Sequence, residues 1–493
     1  MALGTPDEPG AVKGVNNLLT RALAWLGPRR AGDPVSTQLG VILILSLVWD
    51  AVIALDNNSM LLGASPLAVV LTVAIYPLMV AIVAVTIAAP EKVGHVMAVG
   101  RRGFSVAAPV LVVAGATVLF QVPSLVAARA PVSDDVTPSV ICAARDLLNG
   151  ADPYATPELR CLHSLRLPAS LGTALKAGPY AKFAAQPAPG QAEQVAHASS
   201  RHAFQTAAYP RFGYPPLSFL SMLPVATSGR SWWVAWTLAW ALIWLLAMGR
   251  LSRPWWPAVA ATLLLQWGTG SVLGAATQGD AEFFTFALMS LALVTLAHPR
   301  CSALALGLSI ATNPLAWVMT PGYVALSVHL PDRGKRLAWL VGTVLVAFTP
   351  WLLHFPDAFG AMVNLVTQPS FPVGTGLVAV SVVQPLLPLF PRGAYFALLA
   401  AAEVGILGAA AVSRRVAMVA PILVVSALWL SWRSDANYLA QLPPLACATV
   451  IGLSRLRPPS PASPNLVPGP PPMGLAPSDE VGEAGFEPAT SSL

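Results

Sequence analysis

Apolar residues in this chain fall in long blocks separated by short polar stretches. The clearest blocks are Gln38–Leu55, Leu67–Ala89, Phe104–Val126, Trp232–Met248, Ala281–Ala297, Leu337–Leu353, Tyr395–Ala411 and Val416–Trp432. Weaker or shorter ones are Trp255–Leu273, Cys301–Asn313, Leu315–Leu330 and Tyr438–Leu453. A helix that crosses a bilayer takes about 20 residues. Inside lipid a segment must satisfy its own backbone, so each block predicts a helix. The pattern predicts an all-α polytopic membrane protein. Two further apolar stretches, Pro216–Thr227 and Gly376–Phe390, are too short or too broken by proline to span. They read as re-entrant or interfacial pieces, whose backbone needs cover from protein or a wet cavity.

Composition supports the pattern. Of 493 residues, 55% are hydrophobic and 10% are charged, with a mean hydropathy of +0.65. Soluble domains carry roughly 25% charged residues, so a soluble fold is excluded. The formal charge is +6. In such a chain it points to loops facing anionic lipid, not to nucleic-acid binding.

Lysine and arginine in short loops set the orientation. With the N-terminus in the cytoplasm, Arg29/Arg30, Arg101/Arg102, Arg250/Arg253, Arg300, Arg333/Lys335/Arg336, Arg414/Arg415 and Arg455/Arg457 all fall inside. This alternation predicts about 12 spans, with both termini cytoplasmic. The chain then divides into a cytoplasmic segment at 1–37 and three helices at 38–126. An extracytoplasmic loop follows at 127–215, then a second bundle at 216–454 and a Pro-rich tail at 455–493. The first 37 residues lack the apolar core of a cleavable signal peptide. The tail composition predicts disorder.

Four cysteines are present. Cys301 and Cys447 lie in or beside spans and read as inert core residues. Cys142 and Cys161 share the extracytoplasmic loop. There they either pair as a disulfide or stay as free thiols, and spacing does not decide.

The polar signal is concentrated in that loop. Ser133-Asp134-Asp135 follows a span directly. A helix-like run, Pro138 to Leu148, stops at Asn149-Gly150, and Asp152-Pro153-Tyr154 makes a turn. Adjacent carboxylates at a membrane surface suit general-base work or a divalent cation; they also suit a plain solvated loop. No other cofactor is indicated, since no Gly-rich phosphate loop and no Cys-x-x-Cys pair appear. Asp280 is a candidate for acceptor or metal binding, and equally a helix cap ahead of Ala281–Ala297 with Glu282 in the first turn. His354 falls on the same side of the membrane. Asp50 stands inside the first span, where an acid is a functional candidate by default.

These residues resemble a known family. Asp135, then Ala143-Ala144-Arg145-Asp146-Leu147-Leu148-Asn149-Gly150-Ala151-Asp152-Pro153-Tyr154, is similar to the first-loop signature of glycosyltransferase family 87. These GT-C type membrane enzymes include mycobacterial mannosyl- and arabinosyltransferases. Phe212-Gly213-Tyr214-Pro215-Pro216-Leu217 resembles the family's return to the membrane. Gln278-Gly279-Asp280, Thr312-Asn313-Pro314 and Asn437-Tyr438-Leu439 with Pro443-Pro444 are weaker matches in the same order. Two departures stand out. The acidic loop follows the third span instead of the first, and Asn313 stands where a lysine is expected.

The resemblance implies a GT-C-like bundle with a large extracytoplasmic loop. It implies a polyprenyl-phosphate sugar as donor and an envelope glycan or glycolipid as acceptor. Asp135 or Asp134 would be the base of an inverting displacement. Tyr154 and Tyr214 would line the sugar site, and Arg129, Arg145 or Arg433 would meet the donor phosphate in place of a lysine at Asn313. A transporter or flippase of polyprenyl-linked lipid, or a non-catalytic membrane scaffold, are the competing readings. Alanine at Asp134 and Asp135 separates them.

Overall fold

The structure, a computed structural model, describes residues 33–62, 66–92, 94–126, 136–156, 161–162, 164–166, 212–265, 272–367, 373–374, 376–382, 390–434 and 436–456. Asp134, Asp135 and Arg129 lie outside them, as do the N-terminal segment and the tail. The compact body ends at Leu456.

The body is helical. In chain order it comprises α1 (Pro34–Leu62), α2 (Pro66–Ala88), α3 (Gly94–Ser105), α4 (Ala107–Val126), α5 (Val136–Leu148) and α6 (Pro216–Met222). Then come α7 (Arg230–Leu251), α8 (Trp256–Leu265), α9 (Val272–Gln278), α10 (Glu282–Val294), α11 (Pro299–Ile310), α12 (Leu315–Val328) and α13 (Arg333–His354). The last are α14 (Asp357–Thr367), α15 (Ala379–Val382), α16 (Arg392–Val412), α17 (Arg414–Ser426), α18 (Ala436–Leu439) and α19 (Leu442–Ser454). One two-residue parallel pairing, Val373 with Arg433 and Gly374 with Ser434, ties two connecting segments together.

Every apolar block read from the sequence lands on a helix, but the helices differ in length. Among the described residues four are long and apolar enough to cross a membrane: Pro34–Val52, Arg230–Leu251, Arg333–His354 and Arg392–Val412. A fifth follows if α3 and α4, bent by 49° at Val106, form one span. Shorter apolar stretches of 10–17 residues include Trp256–Leu265, Glu282–Val294 and Leu315–Val328. Ala281–Ala297 shortens to α10, with 13 residues, because the chain turns at Thr295–His298 although its residues stay apolar. Val416–Trp432 becomes α17 followed by a 3-10 turn, Ala427–Leu430. Pro216–Thr227 forms α6 and a 3-10 turn, Leu223–Val225, too short to span.

The bundle packs closely because many of its contact residues are small. Gly322 of α12 lies so near α17 that an added Cβ would stand 2.6 Å from the Ala420 carbonyl oxygen. Gly452 meets the Leu293 carbonyl in the same way, and Gly40 meets Gly100 and Gly103. Small residues let helix backbones approach where lipid supplies no hydrophobic drive between them. Hydroxyls in the bundle bond back to carbonyls, as Ser46 does to Ile42 at 2.8 Å and Thr237 to Ala276 at 2.7 Å. The bundle has two chemically distinct ends. The turns holding Arg250, Arg253, Arg300, Arg333 and Lys335 make one. At that end Arg336 is fully buried and donates from Nη2 to the Leu296 carbonyl at 2.7 Å, covering the end of α10. The turns at Asp280 and Asn313 belong to the opposite end.

Candidate functional site

The site end is built from four chain turns. Gly279 adopts φ +75°, a conformation that favours glycine, and a Cβ there would also meet the Val234 nitrogen at 3.0 Å. That turn delivers Asp280 to the start of α10. Asp280 is buried, and its Oδ1 accepts from the Glu282 amide at 2.8 Å and from the Thr137 hydroxyl at 3.2 Å. It therefore does both jobs: it satisfies the first turn of α10 and it holds α5. Thr137 lies only two residues beyond Asp135, so the acidic motif leads directly into this contact.

Glu282, also buried, accepts from Asn313 Nδ2 at 3.1 Å. The Oδ1 of Asn313 accepts from the Leu315 amide at 2.8 Å, at the start of α12. Both ends of the Asn313 amide are thus engaged. Thr312 and Thr285 hydroxyls bond to each other at 2.7 Å beside them. Asp280 and Asn313, singled out from the sequence, are brought together, and Glu282 joins them. A further turn is fixed here as well. The Leu217 amide donates to the Ala311 carbonyl at 2.8 Å, pinning the Phe212–Leu217 return segment two residues before Asn313.

An aromatic cluster adjoins these acids. Tyr154 is fully buried, with ring centroids 5.5 Å from Phe212, 6.1 Å from Phe219 and 6.3 Å from Phe355. Asp152 folds the Asp-Pro-Tyr turn by accepting from the Tyr154 amide at 2.8 Å. Burial, then the Asp152 charge, push the Tyr154 phenol up, so it stays protonated. Tyr214 is half-buried against Phe212 at 5.8 Å. Ala281, next to Asp280, belongs to the same cluster.

The remaining candidates are more scattered. Arg145 is half-buried near the end of α5, and its Nε donates to the Ala226 carbonyl at 2.6 Å. Burial pulls its pKa down. His354 is exposed at the end of α13, edge-on to Phe355. Arg433 contributes backbone to the short strand pairing, while its side chain lies outside the described ones. Cys142 and Cys161 are joined by a disulfide with Cα atoms 5.7 Å apart. This fixes α5 to the segment after it. Among the described residues no three His, Cys, Asp or Glu side chains gather to hold a metal ion.

No family model, curated protein or solved structure matches this chain. The site must therefore be read from its own chemistry. Sequence reasoning left out Thr137 as a partner, Glu282 as a site acid, and the rings of Phe219 and Phe355. Glu282 carried a signal, since it directly follows Gln278-Gly279-Asp280-Ala281. The rings carried none, because their contacts with Tyr154 join residues 65 and 201 apart.

Proposed function

We propose that this protein is a membrane glycosyltransferase. It moves a sugar of the mannose or arabinofuranose class from a polyprenyl-phosphate donor to an envelope glycan or lipid acceptor. In this reading about 12 helices enter the plasma membrane, as the arginine-bearing turns require. Both termini are cytoplasmic, and the Asp280 end is extracytoplasmic. The observation that carries the reading is the hydrogen bond from Thr137 to Asp280. It joins the segment that follows Asp134-Asp135 to a buried acid cluster at the helix ends, where a lipid-anchored phosphate and a polar acceptor can meet.

The chemistry follows from the residue types. Asp135 or Asp134 takes the proton of an acceptor hydroxyl. The hydroxyl oxygen forms its bond to the anomeric carbon from the face opposite the phosphate. The anomeric C–O bond to phosphate breaks, and polyprenyl phosphate leaves with that electron pair. One displacement inverts the centre. A phosphate leaving group needs little help from an acid, so orientation and charge stabilisation carry most of the rate. Asp280 and Glu282 hold the acceptor side. Asn313 is neutral and engaged with Glu282, so the donor phosphate is assigned to Arg145 and Arg433. A divalent cation at Asp134-Asp135 would serve the same phosphate.

The test is sugar transfer by the purified full-length protein in detergent. It is given a panel of radiolabelled polyprenyl-phosphate sugars and a membrane-glycan extract. We expect labelled product with one donor class, reduced 10²-fold or more in Asp134→Ala/Asp135→Ala, on the order of the loss of a general base. No product with any donor, from folded protein, would transfer the case to a scaffold or lipid transporter.

A further inference from the structure

The long helix α16 carries an acid at the depth where lipid tolerates it least. Glu403 stands eleven residues after Arg392 and nine before Val412. That is about 15 Å from either end, the middle of a hydrocarbon layer about 30 Å thick. Among the described residues no hydrogen bond or ion pair reaches its carboxyl. The buried acids of the candidate site, by contrast, have partners within 3.2 Å. Asp50 is also unpaired, but the bundle seals both its oxygens. Glu403 is only partly buried, on a helix whose buried residues are Tyr395 and Ala410. An acid at this depth faces protein or a wet cavity and does not stay bare to lipid.

Its neighbours on the helix say what covers it. Phe396, Ala400, Glu403 and Leu407 follow one another at steps of four, three and four residues, the spacing of a coiled-coil seam. Phe396 is 43% exposed, Ala400 is exposed and Leu407 is partly exposed. Ala410 continues the seam but is already covered, packed with Ala417 and Ala420 of α17. The seam is therefore open only where the chain's own helices leave it. Ala400 beside the acid lets a second backbone come close. A single polar residue in such a seam sets its register. Copies of one chain enter the membrane the same way up. A two-fold axis along the bilayer normal then brings each seam residue opposite itself, at equal depth. Two glutamic acids meet there, each donating its O–H to the other's carbonyl oxygen, with no charge left in the hydrocarbon. A different partner would need a lysine or arginine at mid-membrane, itself costly. We propose that α16 is the docking helix for a second copy of this chain, registered by a Glu403–Glu403 carboxyl pair. Such assembly goes beyond the transferase reading and is independent of it.

The first test is disulfide cross-linking in membranes of cells that express the full-length protein with Cys301→Ser, which removes the exposed free cysteine. Ala400→Cys and Leu407→Cys should each give a product of twice the chain mass. Gly405→Cys, on the opposite face of α16 and equally open, should not. No dimer at 400 or 407, or one as strong at 405, would overturn the seam and leave Glu403 to a helix of another protein. The second test is energy transfer between copies labelled at Cys301 in phosphatidylcholine vesicles, diluted with lipid. Glu403→Leu should weaken association about tenfold, the order of an interhelical polar contact in membranes. Glu403→Gln, whose amide also pairs with itself, should stay near the wild type. The thermal midpoint of Glu403→Leu should not fall, since leucine suits lipid better than an acid. Wild-type association in Glu403→Leu would remove the carboxyl pair.

Discussion

The bundle core and the cluster around Tyr154 are two interiors built on opposite rules. The core is filled by Leu, Ile, Val and Ala, such as Leu39, Ile42, Leu306 and Leu326, and its helices touch through glycine. Most of its hydroxyls bond to a carbonyl on the previous turn or on a neighbouring helix. The cluster is richer in aromatic rings and adjoins two buried carboxylates; unmet polar atoms occur in both, the Tyr154 hydroxyl here and Trp49 Nε1, Ser327 Oγ and Arg336 Nε in the bundle. The first arrangement minimises distance between backbones. The second keeps flat faces and polar atoms at close range, at a cost in stability. The contrast teaches where the chain gathers rings and acids instead of close helix contacts.

Two substitutions and one reduction sharpen the contrast. The largest effect is expected in the core. Gly322→Leu drives a side chain into the Ala420 backbone, and neither helix can yield without moving the bundle. A loss of about 3 kcal/mol or more is expected from such overpacking, read as a lower thermal midpoint and less folded protein in detergent. The disulfide comes next. Its bridge closes a loop with a separation of 19 residues, for which chain entropy alone gives about 3 kcal/mol. Reduction should loosen α5 and raise proteolysis near residues 136–166 while the midpoint of the helical bundle barely moves. A bundle that unfolds with it would show that the two interiors are one cooperative unit. The smallest effect is expected at the acid cluster. Asn313→Leu strips Glu282 of a hydrogen bond and α12 of its first-turn contact. It should cost about 2 kcal/mol, measured by the same midpoint. An unchanged midpoint would mean that Glu282 is held without Asn313.

Much of this division was legible in the sequence, and what was not has physical causes. Hydropathy missed the amphipathic α3 and α14. It located the apolar helices of the bundle because lipid and core select the same side chains. It misjudged their lengths. Leu296 and Ala297 are as apolar as α10 itself, yet lie in the turn after it, because hydrogen-bond geometry ends the helix before the apolar run ends. The bend at Val106 is equally invisible to a block reading. At the site, the capping role of Asp280 was local and could be read. Its contact with Thr137 joins residues 143 apart and could not. Asn313 was read as a missing lysine. In the structure it is an amide shared between Glu282 and the start of α12, a role set by a helix 31 residues earlier.

The short helices have one further consequence. The three that lead to and from the acid turns, α10, α11 and α12, contain 13, 12 and 14 residues, roughly 20 Å each at the rise of an α-helix. Their neighbours α7 and α13 contain 22 residues, about 33 Å, enough to cross a hydrocarbon layer of about 30 Å. Gly279 sits beside Val234, four residues into α7, so α7 runs roughly 6 Å past the Asp280 turn. The polar turns therefore lie below the tip of α7, buried under α5 and the Phe212–Leu217 segment. Under the proposed transferase reading, a lipid-anchored phosphate and a water-borne hydroxyl would both have to reach past that cover.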